Sequence, residues 1–151
     1  ADLFTAALDH AIKEQRENNS RILQQFPNHG DSAWAWKIAA MVPRNSGNAT
    51  PSTTQRLLVE AVYASWQNEE AQQSIMPQLV SLLDLYRKAV QDGKDAGEIA
   101  DEFDPELLAI MFMALPVGLS ALNLAGFERP RDELWIAVFE ALRAALRGPQ
   151  P

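Results

Sequence analysis

The chain has 151 residues, 47% of them hydrophobic, which is enough to bury the core of a single domain spanning 1–151. Its formal charge is −7 and its 13 Lys and Arg are scattered, which argues against nucleic-acid binding by these residues alone, because neutralising phosphates needs clustered basic side chains. The lack of cysteine excludes disulfides, thiolate zinc sites and cysteine nucleophiles, and suits a reducing, cytoplasmic setting.

Leu3, Phe4, Ala7, Leu8, Ala11 and Ile12 recur at spacings of three and four, and Ile22, Leu23 and Phe26 resume the rhythm after a polar waist from Lys13 to Arg21. The spacing predicts one long helix over 1–26, stopped at Phe26-Pro27. Nothing in Ala1-Asp2-Leu3-Phe4 resembles a signal peptide; without a starting Met and already in helical rhythm, the sequence reads as the remainder of a longer protein. Asn28-His29-Gly30 predicts a loop, and Asp31 or Ser32 an N-cap for a second helix with Trp34, Ile38 and Met41 on its apolar face, stopped by Pro43. Arg44 to Pro51, rich in Asn, Ser and Gly, predicts another loop. The triplets Asn18-Asn19-Ser20 and Asn48-Ala49-Thr50 read as chance rather than glycosylation sites.

Ser52-Thr53-Thr54-Gln55 fits a capping box and opens a helix to about Asn68. This helix carries Leu58, Val62 and Trp66 on one side, with Val59 and Tyr63 nearby. Glu69 to Ser74 is polar, Pro77 marks a helix start or a kink, and Leu79, Leu82, Leu83, Tyr86 and Val90 form a stripe up to Gly93. Gly93 and Gly97 offer left-handed or extended backbone where that helix ends, and Ile99 and Phe103 pin the connection to the core. Asp104 then caps the next helix, with Pro105 at its first position and Glu106 against the positive end of its dipole.

From Leu107 to Ala125, about 19 residues, nothing is charged, and the run is nearly long enough to span a bilayer. Pro116, Gly118, Ser120 and Asn123 interrupt it and the preceding helices are amphipathic, so a helix covered by its own chain on one side and by a partner on the other is expected, with no membrane. The spacing sets Leu108, Met111, Phe112, Leu115, Leu119 and Leu122 on one face, and Leu107, Ile110, Ala114, Val117, Ala121 and Leu124 on the other. Pro116 cannot donate to the carbonyl of Phe112; the bend it causes either makes room for a ligand beside Phe112 and Leu115 or fits a dimer surface. A last helix from about Arg131 to Arg147 carries Leu134, Trp135, Val138, Phe139, Leu142 and Leu146 beside Ala137, Ala141, Ala144 and Ala145, and Gly148-Pro149 ends it. Strand-like alternation is missing throughout, so the fold class is all-α, a bundle of about six helices.

Two stretches resemble the TetR family of transcriptional regulators. "ADLFTAALDHAI" is similar to the helix that follows the family's DNA-binding head, and "GEIADEFDPELLAIMFMALPVGLSAL" to its pattern of Gly and Ile, an Asp-Pro cap, and a Leu-Leu-Ala helix with a mid-helix Gly. The likeness covers essentially the whole chain, but its motifs are loose. The resemblance implies a dimeric regulator whose helical body holds a small-molecule pocket and dimerises through its last two helices in a four-helix interface, while an N-terminal helix-turn-helix head binds operator DNA. No such head is present in this sequence, so no DNA-contacting residue carries over and operator binding is expected only through a head in the parent protein.

Other chemistry has little residue support. His10, with Glu14 four residues on and Asp9 adjacent, offers two metal ligands on one helix face, but the only other histidine is His29, so no metal site is expected. No glycine-flanked serine elbow and no phosphate loop appear, and Glu98, Asp101, Glu102, Asp104 and Glu106 read as capping chemistry rather than an acid-base pair, so no catalysis and no cofactor are expected. Large aromatic and methionine side chains serve equally as core or as the wall of an apolar pocket. Pocket candidates are Trp34, Ile38, Met41, Val62, Trp66, Tyr86, Met111, Phe112 and Leu115; dimer-interface candidates are Leu119, Leu122, Trp135, Val138, Phe139 and Leu142. The expected function is a ligand-responsive regulator, acting as a repressor, whose partners are a second copy of the chain and a small hydrophobic or aromatic effector. The alternative is a helical protein-interaction module without a pocket.

Overall fold

Five helices and no strand make up residues 3–25, 38, 52–128 and 132–148, the part described by this computed structural model. They are α1 (Leu3–Gln25), α2 (Thr53–Gln67), α3 (Glu69–Asp95), α4 (Pro105–Leu124) and α5 (Asp132–Leu146). The helix expected around Trp34 and Met41 lies outside the described residues, apart from Ile38, which is helical and buried.

Local chemistry accounts for most helix ends. The Ser52 hydroxyl accepts from the Gln55 N–H at 3.2 Å while the Gln55 side chain accepts from the Ser52 N–H at 2.8 Å, so the capping box starts α2 as expected. At the other boundary the sequence reading needs correction. Glu69 to Ser74 is the beginning of α3, and Pro77 sits inside that helix rather than at its start. Asn68 alone joins α2 to α3: its N–H completes α2 on the carbonyl of Ala64, and its side-chain oxygen accepts from the N–H of Glu70 (2.9 Å) and Ala71 (3.5 Å). Glu69 and Glu70 in the first turn further favour a start there through the helix dipole.

Gly93 is likewise corrected, being a buried residue within α3. The helix ends two residues later in a Schellman turn: Gly97 adopts φ +68°, its N–H bonds the carbonyl of Lys94, and the Glu98 N–H bonds the carbonyl of Gly93 at 2.9 Å. Ile99 is buried and Phe103 packs on the core, which fixes the bridge to α4. Asp104 then accepts from the Leu107 N–H at 2.7 Å, with Pro105 in the first turn.

α2 and α3 each touch the other three of α1 to α4. Leu8 and Ile12 of α1, Ala61 of α2 and Ile75 of α3 form one buried cluster. Leu82, Tyr86, Ala89 and Val90 of α3 form a second with Leu108, Ala109 and Phe112 of α4, joined by Ile38, Ile99 and Leu146. α5 reaches this second cluster through Phe139, Leu142 and Leu146. Its end is tied to the α3–α4 bridge: the Ala100 N–H bonds the Leu146 carbonyl at 2.9 Å, and Arg147 lies 3.7 Å from the buried Glu98 carboxylate.

On the outside of the α3–α4 pair, the Arg87 guanidinium donates to Glu106 through Nε at 2.7 Å and through Nη2, and to Asp84 at 2.7 Å. The Arg87 hydrogen bonds hold the Glu106 carboxyl below its ordinary value. A depressed carboxyl stabilises the fold above its unfolded pKa and loses that contribution as pH falls through the folded value. Urea midpoints of the wild type should therefore exceed those of Glu106→Gln at neutral pH, and the gap should close on acidification below the usual carboxylate range. Because both side chains are partly exposed, the gap is modest and shrinks with added salt.

Candidate functional site

Where α1 to α4 meet, the two buried clusters leave a recess open to solvent, with a cavity volume of about 20 Å³. It has room for about one water molecule. Its floor and walls are Leu82 and Tyr86 of α3, Leu58 of α2, and Met113, Pro116 and Val117 of α4. Gln15 of α1, Gln55 of α2 and Ser120 of α4 add polar groups. Among the described residues, no Asp, Glu, Lys, Arg or His lines it.

Each polar group is placed by local structure. Gln55 is held by the capping box, which engages its oxygen and leaves its NH₂ as the group it can offer. The Ser120 hydroxyl donates to the Pro116 carbonyl at 2.7 Å, so a polar side chain is tolerated on the buried side of α4 and its oxygen remains an acceptor. The charged neighbours of Gln15 are held elsewhere: Glu14 accepts from the Thr54 hydroxyl at 3.1 Å, and Arg16 donates to Ser81 at 2.7 Å.

The pocket candidates read from the sequence fall in three places. Ile38, Tyr86 and Phe112 are buried together in the α3–α4 cluster, with Leu115 packed against it, and of these Tyr86 lines the recess. Val62, Met111 and Trp66 are exposed, Trp66 at 80%, with its ring 6.2 Å from that of the exposed Tyr63. Trp34 and Met41 lie outside the described residues. Of the lining, Gln15, Gln55, Leu58, Leu82, Pro116, Val117 and Ser120 were not among the residues weighed as pocket walls; the capping box signalled a fixed Gln55, but nothing local showed which way it faced.

The second feature is the outer face of α4. By length and composition α4 is apolar enough to cross a membrane, yet only 28% of its apolar window is buried by its own chain. Leu108, Ala109, Phe112, Pro116 and Ser120 face inward; Leu107, Met111, Ala114, Gly118 and Leu122 form a stripe facing out. The faces drawn from the sequence are therefore rotated, since Met111 and Leu122, grouped there with Leu108 and Phe112, are exposed.

No family model matches the chain, and no curated protein or solved structure matches it significantly. The remaining interface candidates divide the same way as the helix faces: Leu119, Trp135, Phe139 and Leu142 are half-buried, while Val138 is 58% exposed beside exposed Leu134 and Ile136. Near the α4–α5 turn, the Asn123 side-chain oxygen and the Trp135 indole N–H are buried without a hydrogen-bond partner among the described residues. Buried groups left unpaired cost about 1–3 kcal/mol each. On α1, His10, Asp9 and Glu14 are all exposed, and among the described residues no three His, Asp or Glu side chains gather as metal ligands would.

Proposed function

We propose that the chain is the effector-binding and dimerisation body of a TetR-like transcriptional regulator, acting as a cytoplasmic repressor whose operator DNA is held by a separate N-terminal head. The observation that carries this reading is the outward face of α4, an uncharged apolar stripe about four helical turns long; Leu134 and Val138 on α5 are exposed as well. An apolar helix face of this kind suits an isologous interface in which the same patch meets itself across a twofold axis. The recess among α1 to α4 supplies the second element, a place where a guest touches α1. A ligand that favours one arrangement of those helices shifts α1 and so the spacing of two heads. A coupling of about 1.4 kcal/mol changes operator occupancy tenfold, within the usual range.

Light scattering after size exclusion tests the reading directly. A homodimer of the 16.8 kDa chain is expected at micromolar concentration. The same exposed face also fits a helical adaptor that binds a different protein, and a stable monomer would favour that second reading.

A further inference from the structure

With no cysteine in the chain, the thioethers of its 4 Met are its only sulfur and the side chains most open to a two-electron oxidant. Exposure and surroundings sort them. Met113 is half-buried on α4, Met76 is 45% exposed in the polar first half of α3, and Met111 is 49% exposed on the outward face of α4. Met111 stands about one turn from both Leu107 and Ala114 in the outward stripe and beside exposed Ile110. The stripe of Leu107, Met111, Ala114, Gly118 and Leu122 carries no side-chain hydrogen-bond donor, and the N–H groups of a helix interior are already engaged.

Oxidation changes what this position requires of its surroundings. The sulfur lone pair of Met111 attacks one oxygen of a hydroperoxide; the O–O bond breaks, an S–O bond forms, the sulfur gives up two electrons and the peroxide is reduced to water or an alcohol. The sulfoxide oxygen is a strong acceptor. Water satisfies it on a free protomer, but an apolar face without donors does not, which weakens association about tenfold or more for each copy and about a hundredfold for the two copies in a twofold interface.

We propose that Met111 is an oxidation switch: a hydroperoxide converts it to the sulfoxide on the free protomer, and the oxidised chain no longer pairs with its twin through α4. This rests on the reading of the outward α4 face as a homodimer interface, and adds to it a way of taking the dimer apart. A dithiol-dependent sulfoxide reductase reverses the step, releasing the oxygen as water while the dithiol becomes a disulfide.

Light scattering after size exclusion, run before and after hydrogen peroxide with peptide mass mapping of each Met, tests the switch. The untreated wild type should be a dimer and the Met111 sulfoxide form a monomer, returned to a dimer by the reductase. Met111→Leu, close in volume and apolar, should stay dimeric at the same dose although Met76 is oxidised. Met111→Gln places a polar acceptor there without oxidant and should be monomeric, with circular dichroism confirming the fold, since Met111 is exposed on the protomer. The switch is overturned while the dimer stands if Met111 sulfoxide leaves the mass unchanged, if Met111→Leu dissociates as the wild type does, if Met111→Gln remains dimeric, or if Met111 resists a dose that converts Met76. A wild type already monomeric at micromolar concentration before peroxide overturns the dimer reading, and the switch with it.

Discussion

Gly118→Leu should convert the proposed homodimer into monomers without unfolding the protomer. Gly118 lies at the middle of the outward α4 stripe, and a Cβ built on it meets nothing within 4 Å. Its backbone is helical and lies outside the left-handed region, so a leucine fits the single chain and adds up to about 1 kcal/mol of helix propensity. Across a twofold axis the same leucine enters twice, between two helices that Ala114 and Gly118 would let approach closely. Overpacking costs about 1–3 kcal/mol per site, so dissociation should strengthen by about a hundredfold or more. Light scattering reads the change in mass and urea denaturation confirms the fold. Because the chain has no cysteine, Gly118→Cys gives a complementary readout: a sole thiol at the crossing point should form an intermolecular disulfide under mild oxidation. A Gly118→Leu protein that stays dimeric would place the interface elsewhere.

Phe112→Ala should cost about 3–5 kcal/mol of stability, the usual loss when a large buried ring leaves a cavity. Phe112 is 2% exposed and packs with Tyr86, Leu108 and Ile99, whereas Trp66 stands almost free of the body. Trp66→Ala should therefore change stability by no more than about 0.5 kcal/mol. The sequence ranks these two aromatics alike as pocket candidates, and urea midpoints of the two variants separate them. If Phe112 walled a roomy pocket instead, its loss would be small and the two values would converge.

That contrast illustrates what the sequence made legible. Helix starts written in adjacent residues were readable, because Ser52 with Gln55, and Asp104 with Pro105, satisfy backbone groups only a few positions away. The start at Glu69 was hidden because the first turns of α3 are polar and expose nearly everything; what makes them helical is the cap on Asn68 and the acidic first turn, not an apolar period. The end at Gly97 was half legible, since both glycines suggested a stop and only the Schellman bonds choose between them. On α4 periodicity fails for another reason. With no charged residue to mark the outside, Met111 and Leu122 look as core-like as Leu108, and the small residues Ala109 and Ser120 give no hint that they face in. The recess was illegible for the same cause: its walls come from four helices, and the relevant fact is where their faces converge.

The tie between the end of α5 and the Glu98–Ala100 bridge has a practical corollary. The final turn acts as a clasp on a joint far upstream, closing the Ala100 amide and covering the Glu98 carboxylate. Trimming the polypeptide from Leu146 onward would do more than fray one terminus, since it would uncover a buried acid and slacken the elbow that sets how α4 leaves α3.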